Sequence, residues 1–486
     1  MITEMVVDNF KAFGSRQEVP LSPITLIFGG NSAGKSTLIQ GLLALRQSIV
    51  PSEPGPFFLG RPAELVVRGG LVDLGSFDAL IYRHDKSRIL TLGVTTDGDR
   101  RPRTEIRSGS RFGVEWSFER KGAAITHINS RLLYQRESID FPVNPTTGSN
   151  LPSREPTVDL PAELTDRLLG WATSSSQHHQ IYFDDSDKTP LCARVRLSNG
   201  IPVGCIRMNP HHDEEVDDEF EDTPAFDLTR NTPKKERSVE DRAAELLDRW
   251  LRVGPGSVRH ELAALTYLGP LRTPPERFNV LTGEQVRNAG ISGERVVDLL
   301  ARRPGLIRDV NSWFETLEIP YSAEIRTVSD QAVAGAIGEV HCLLLRDKRT
   351  NTEVSPTDVG FGVGQVLPVV VQSLLNHNGV LCIEQPEIHL HPGLQARLAE
   401  MFAHVVKRSR RSQFILETHS EHFILRLQRL IRRGELRNDQ VSVLHVGYSP
   451  EGDSQVRRLR LGENGEFLDE WPAGFFDDRF EELFGD

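Results

Sequence analysis

Four apolar runs in this chain stop abruptly at small or polar residues. Ile24-Thr25-Leu26-Ile27-Phe28 meets Gly29-Gly30, Gly379-Val380-Leu381-Cys382-Ile383 meets Glu384, Phe414-Ile415-Leu416 meets Glu417-Thr418-His419-Ser420, and Val441-Ser442-Val443-Leu444-His445-Val446 is the fourth. Runs without strict alternation predict strands buried on both faces, and the segments between them read as helices. Strands alternating with helices predict a largely parallel α/β sheet whose ligand lies at its carboxyl edge. Met5-Val6-Val7 predicts a further strand, and residues 91–94 and 112–118 alternate apolar with polar positions, which predicts antiparallel strands in the middle of the chain. Sustained heptads are absent there, so no long coiled-coil arm is expected.

The first stop is a complete phosphate-binding loop, Gly29-Gly30-Asn31-Ser32-Ala33-Gly34-Lys35-Ser36-Thr37. Its glycines let backbone N–H groups curl around a phosphate chain, Lys35 reaches the β and γ oxygens, and the Ser36 hydroxyl suits Mg²⁺. Thr37 is expected at the α-phosphate, and residues 38–45 form the helix whose N-terminus supports the anion. Such a loop needs an acid at the end of a neighbouring strand. Glu384, 348 positions after Ser36, is that candidate and with Ser36 the expected metal pair. A strand end at residues 414–420 would bring His419 to the γ-phosphate. Gly360-Phe361-Gly362-Val363-Gly364-Gln365 is a second glycine-rich turn, entering a helix over residues 366–375 with Pro368 in its first turn. Gly362, Gly364 and Gln365 are therefore candidate phosphate contacts; if the phosphate belongs to another subunit, ATP joins a dimer.

At 486 residues the chain has room for roughly three domains. The net charge of −11 opposes a broad nucleic-acid surface but leaves room for a local basic patch. Lys407, Arg408, Arg410 and Arg411, with Arg426, Arg429, Arg432 and Arg433 at helical spacing, form the best one. Arg272 and Arg277 are candidates for a phosphate, a partner or structural ion pairs. Cys192, Cys205, Cys342 and Cys382 are scattered, so reduced thiols are expected. The pairs His178-His179 and His211-His212 lack a ligand-like carboxylate pattern, and the acidic run over residues 212–219 reads as a solvated loop. There is no leader-like start, and no apolar run approaches the ~18 residues that span a bilayer; a cytoplasmic protein without membrane contact is expected.

Taken in order, these pieces resemble the ABC-type ATPase heads of the structural-maintenance-of-chromosomes (SMC) and RecF group, and more closely the bacterial OLD-like AAA-family ATPases. Asn9-Phe10-Lys11-Ala12-Phe13 resembles their opening strand motif, Asp73-Leu74-Gly75-Ser76-Phe77 the Q-loop region, and Gly360–Gln365 the signature loop. Residues 384–392 resemble the Walker B motif and D-loop, with His389 and His391 expected to pack across a dimer. Residues 417–420 resemble the switch histidine, and residues 465–477 a short C-terminal domain of unknown function. The resemblance implies an ABC-type P-loop NTPase head built from two separated lobes with a β-rich middle insertion. Lobe I spans residues 1–90, the insertion 91–262, lobe II 263–440 and the family-specific tail 441–486. It also implies a dimer or higher oligomer sandwiching ATP and Mg²⁺.

Two departures stand out. Gln385 occupies the catalytic glutamate position, and an amide is no general base at neutral pH; Glu387 or His419 is left to orient the water. The signature loop has Gly362 and Gly364 where a serine is usual. Expected catalytic residues are thus Glu384, Gln385, Glu387 and His419. The function implied is an ATP-hydrolysing switch that controls DNA or a separate nuclease or toxin effector, in genome maintenance or anti-phage defence. The 67 residues after His419 are too few for the nuclease module of OLD-like relatives. The competing readings are a nucleotide-gated scaffold that barely hydrolyses, and, less well matched, a transporter motor.

Overall fold

The computed structural model describes residues 1–49, 65–97, 256–273, 276–281, 285–328 and 336–472, together with strand segments between 111 and 207. The chain forms two compact units. Met1–Ser52, Leu65–Asp97 and Arg259–Asp486 make the first, and Glu53–Glu64 with Gly98–Val258 the second.

In chain order the first unit begins with β1 (Ile2–Asp8), β2 (Gln17–Pro20), β3 (Ile24–Gly29), α1 (Lys35–Ile49) and β4 (Leu90–Asp97). The second unit contributes β5 (Arg111–Lys121), β6 (Ala124–Tyr134) and β7 (Glu137–Pro142), then β8 (Thr157–Asp159), β9 (Ala193–Ser198) and β10 (Ile201–Arg207). The first resumes with β11 (Thr266–Leu268), β12 (Asn279–Val280), α2 (Val296–Arg302), α3 (Pro304–Thr316), β13 (Tyr321–Val328), β14 (Val340–Asp347) and β15 (Glu353–Val354). It closes with α4 (Phe361–Leu375), β16 (Val380–Glu384), α5 (Pro392–Arg408), β17 (Gln413–Glu417), α6 (Glu421–Arg432), β18 (Val441–Tyr448) and β19 (Ser454–Leu459).

The central sheet runs β11-β16-β17-β3-β18-β19 and is parallel except for the last pair. Every residue of β3, β16 and β17 is buried, as their continuous apolar composition predicts. Helices supply the cover: the Phe402 ring of α5 lies 4.8 Å from Phe414 and 6.0 Å from Phe423 of α6. In α6, Phe423, Ile424, Leu427, Leu430 and Ile431 are buried, one stripe at helical period. Each such side chain contributes about 1.5–3 kcal/mol on leaving water. This is the P-loop NTPase architecture expected, with both lobes in one sheet.

Register decides what meets at the carboxyl edge. Glu384 pairs with Glu417 across β16 and β17, Glu417 with Ile27 of β3, and Gly29 with Val446 of β18. A smaller antiparallel ladder, β2-β1-β4, is tied to the central sheet by Gln413, whose amide exchanges hydrogen bonds with Ile2 N (3.1 Å) and O (2.7 Å). A second small antiparallel sheet, β12-β14-β13 with β15 on β14, lies beside α2 and α3 in sequence, and Asn311 of α3 bonds both backbone groups of Ala323 on β13. In the second unit β5-β6-β7 is an antiparallel meander and β8-β9-β10 an antiparallel three-strand sheet.

The elements differ from the sequence reading in three places. Residue 90 opens β4, which pairs with β1, so the compact unit extends to Asp97. β18 is the strand expected over 441–446 and pairs parallel with β3, but β19, inside the segment set apart as the tail, is a further strand of the central sheet. The glycine turn at 361–364 is itself helical, so Pro368 sits in the interior of α4 rather than its first turn. Its ring fits because Gly293, at φ +82°, has no Cβ; one there would lie 2.5 Å from Pro368 Cγ. The two histidine pairs, the acidic run at 212–219, Pro274, Pro275 and the tail from 473 lie outside the described residues.

Candidate functional site

β3 delivers the phosphate loop by a tight approach to β18. Gly29, at φ +146°, has no room for a side chain, since a Cβ would lie 2.1 Å from the Val446 carbonyl oxygen. The loop then turns through Ser32 (φ +62°) and Gly34 (φ +101°) into α1. Lys35, the first residue of α1 and only 5% exposed, bends its Nζ back to donate to the carbonyls of Gly29 (3.2 Å) and Gly30 (2.8 Å). Burial lowers its pKa, and the nearby Glu417 charge opposes that shift. Asn31 and Ser32 are exposed at the loop tip, and Ala33 and Thr37 are buried beneath it. From the other end of the chain, Tyr448 OH donates to Ser32 O (3.1 Å) and Ser454 Oγ to Ala33 O (2.7 Å). That buttress is invisible in the motif.

Two carboxylates share the adjoining strand ends. Glu384 accepts a hydrogen bond from Tyr267 OH at 2.8 Å. Burial and then the Glu417 charge push its pKa up to about 7, against the Tyr267 bond and Arg272. Glu417, only 4% exposed, lies beside Ser36 and Lys35; burial raises its pKa, and the Ser36 hydroxyl and the Lys35 charge resist the rise. Because β17 lies between β16 and β3, Glu417 is the carboxylate beside Ser36 and Lys35. Sequence reasoning passed over it as part of the histidine motif, although its run ends in an acid just as the Glu384 run does.

Behind these ends, Arg272 is committed to structure through its two terminal nitrogens, while its buried Nε has no partner among the described residues. Its guanidinium donates to Glu384 O (2.6 Å) and Gln385 O (3.0 Å), and burial lowers its pKa to about 10. Arg277 forms a two-point ion pair with Asp358 at 2.6 and 3.0 Å. Gln385 turns at φ +46° and gives its N–H to Glu417 O (2.8 Å). Glu387 is buried, and its Oε1 accepts the His419 N–H at 2.7 Å while Oε2 has no partner among the described residues. Its pKa is raised by burial. His419 is exposed at the β17 end, and partial burial together with the Lys35 charge lowers its pKa.

The signature-like turn is joined to the loop after Glu384. Gly362 packs so closely that a Cβ would lie 2.9 Å from His389 O, and the exposed Phe361 ring meets His389 edge-on at 5.0 Å. Gly364 and Gln365 are buried, and the Gln365 amide bonds the Arg272 backbone at N (3.4 Å) and O (2.8 Å). His391 caps α5, accepting from Gly393 N–H at 3.2 Å. At the far ends of α5 and α6, Lys407 (3.4 Å) and Arg433 (3.9 Å) pair with Glu435, and Arg408, Arg410, Arg429 and Arg432 are exposed. Arg426 is paired with Glu400.

A lysine over a phosphate loop, a serine hydroxyl, two buried carboxylates and a carboxylate oxygen without a partner fit a magnesium-bound triphosphate. Mg²⁺ takes one or two carboxylates and completes its shell with phosphates and water. Among the described residues no cluster of three or more His, Cys, Asp or Glu is placed to hold a metal by side chains alone. Cys342 and Cys382 are free thiols.

Residues 215–425, less than half of the chain, match a family described as "AAA domain, putative AbiEii toxin, Type IV TA system". The matched stretch holds Glu384, Glu387 and His419, and the phosphate loop precedes it. No curated protein matches the chain. Similar solved structures include the SmcHead bound to the C-winged helix domain of ScpA, at 11% identity over 95% of this chain and 98% of that one, with a TM-score of 0.44. Another is an SMC head domain from Thermotoga maritima, at 11% identity over 95% and 99% with a TM-score of 0.35. A third is an Smc head domain with an extended coiled coil, bound to the C-terminal domain of ScpA derived from Pyrococcus furiosus, at 12% identity over 94% and 96% with a TM-score of 0.42. Likeness at this level bears on neither activity nor partner.

Proposed function

We propose that this chain, which carries an ABC-type AAA-family ATPase domain of SMC-like type, binds ATP with Mg²⁺, hydrolyses it slowly and acts as a molecular switch. The observation that carries the reading is the meeting of Lys35 and Ser36 with Glu417 and Glu384 at one sheet edge. Lys35 holds the β and γ oxygens, the loop amides contributed by residues 29–37 bind the phosphate chain, and Thr37 adds an α-phosphate contact. Ser36 and Glu384 hold the cation, which when bound neutralises charge developing on the transferred group. His419 contacts the γ-phosphate.

Gln385 cannot accept the proton of the attacking water, so that role falls to Glu387. Its Oε1 is anchored by the His419 N–H, and burial raises its pKa, which makes it a stronger base than an ordinary carboxylate. A second copy closes the site with its turn at 360–364, and opening after hydrolysis releases a separate effector, a nuclease or toxin, in genome maintenance or anti-phage defence. The exposed arginines at the ends of α5 and α6 are where duplex DNA would dock; Arg429→Glu with Arg432→Glu should abolish salt-sensitive binding. Among the described residues no helix is long and apolar enough to cross a membrane.

Phosphate release by the purified chain tests the reading. Lys35→Ala should abolish it, Glu387→Gln should reduce it by about 10²-fold or more, and Gln385→Glu should raise it. The second reading, a nucleotide-gated scaffold, is favoured by Gln385 itself, and it predicts ATP binding with no release that Glu387→Gln can reduce. Strong release by Lys35→Ala would overturn both.

A further inference from the structure

We propose that Glu417 is a second acidic residue of the cation site, facing the divalent ion jointly with Glu384 and Ser36; this rests on the nucleotide-site reading above. Three observations place it there. Glu417 is the strand end between Glu384 and the phosphate loop, in register with both Glu384 and Ile27. Its carboxylate lies close enough to Ser36 and Lys35 for the serine hydroxyl and the lysine charge both to favour its ionised form. Its Oε2 is buried without a hydrogen-bond partner among the described residues, on a side chain 4% exposed.

A buried carboxylate oxygen left unpaired is expensive, and two carboxylates side by side more so, unless a cation faces them. Lys35 acts on Glu417 through its charge, but its ammonium donates to the carbonyls of Gly29 and Gly30 and leaves Glu417 Oε2 unpaired. Arg272 does not pair with it either, since its guanidinium bonds the main-chain oxygens of Glu384 and Gln385. Tyr267 donates to Glu384, not to Glu417. Lys35 supplies one positive charge to this pair of acids, an ion at Ser36 would supply the charge still lacking, and a hydroxyl with two carboxylates is a donor set for a hard cation. The competing explanation is that Glu417 only buttresses Ser36.

Glu417→Gln separates the two, since the amide keeps an acceptor for Ser36 and loses the charge. Mn²⁺ is the probe, titrated by electron paramagnetic resonance into the full chain saturated with a non-hydrolysable ATP analogue. Glu417→Gln and Glu384→Gln should each weaken Mn²⁺ binding by about tenfold, while nucleotide affinity in EDTA stays the same or tightens as a negative charge leaves the phosphates' vicinity. Mn²⁺ affinity within about twofold of wild type for Glu417→Gln, with Glu384→Gln still impaired, overturns the proposal. A wild-type chain that fails to bind the analogue at all overturns instead the nucleotide reading. Should the Gln variant not fold, Fe²⁺ replaces Mg²⁺ in the wild-type protein, with ascorbate and peroxide. Backbone cleavage at both 384 and 417 is expected, and cleavage at 384 without 417 sinks the assignment.

Discussion

β16 and β17 are near-twins: each is a five-residue strand, buried throughout, ending in glutamate. Their carboxylates nonetheless live in different chemistry. Glu384 faces a neutral phenol and backs onto an arginine that holds main-chain oxygens, whereas Glu417 faces the phosphate-loop serine and lysine. Identical strand endings therefore do not mean equivalent acids; the neighbouring strand decides which one sits beside the phosphate loop and which one is tuned by Tyr267 and Arg272.

The sharpest way to break the comparison is to remove the support that only Glu384 possesses. Arg272→Ala leaves two buried carbonyls unpaired and should destabilise the fold by about 3 kcal/mol in urea unfolding, with the Ser36 side of the site less affected than the β16 end. Next comes pH. Glu384 titrates at about 7 in the folded chain against 4.5 ordinarily, so the folded state holds a proton that the unfolded state has given up. That contribution is complete below pH 4.5 and disappears as pH rises through 7. Relative to Glu384→Gln, whose amide mimics the protonated acid, wild type should lose on the order of 2–3 kcal/mol across this window. A flat difference between the two unfolding curves would refute the burial argument. Smallest is Tyr267→Phe, which removes one hydrogen bond. It should cost about 1 kcal/mol and raise the Glu384 titration further, read by infrared of its carboxyl band, without moving Glu417.

Much of this was legible beforehand. Residues 29–37 declare a phosphate loop because that chemistry needs fixed local spacing, and the runs ending at Glu384 and Glu417 declare buried strands because both faces must be apolar. The special position of Glu417 was not legible, because strand order in the sheet departs from order in the chain: β17 inserts between β16 and β3. Arg272 reads equally as a phosphate contact, a partner contact or a structural ion pair, since nothing local shows that two strand-end carbonyls await it. Pro368 reads as a first-turn residue because glycines at 362 and 364 suggest a loop, and the space its ring takes deeper in the helix depends on the missing Cβ of Gly293.

Amino-acid order alone determined the buried central strands, the phosphate loop and the strand-end acid Glu384, since these rest on patterns among residues close in the chain. Tertiary structure decided which acid neighbours Ser36, which arginine is buried and how residues 448 and 454 brace the loop. Those outcomes depend on strand order and on partners hundreds of positions apart, and no local pattern encodes either.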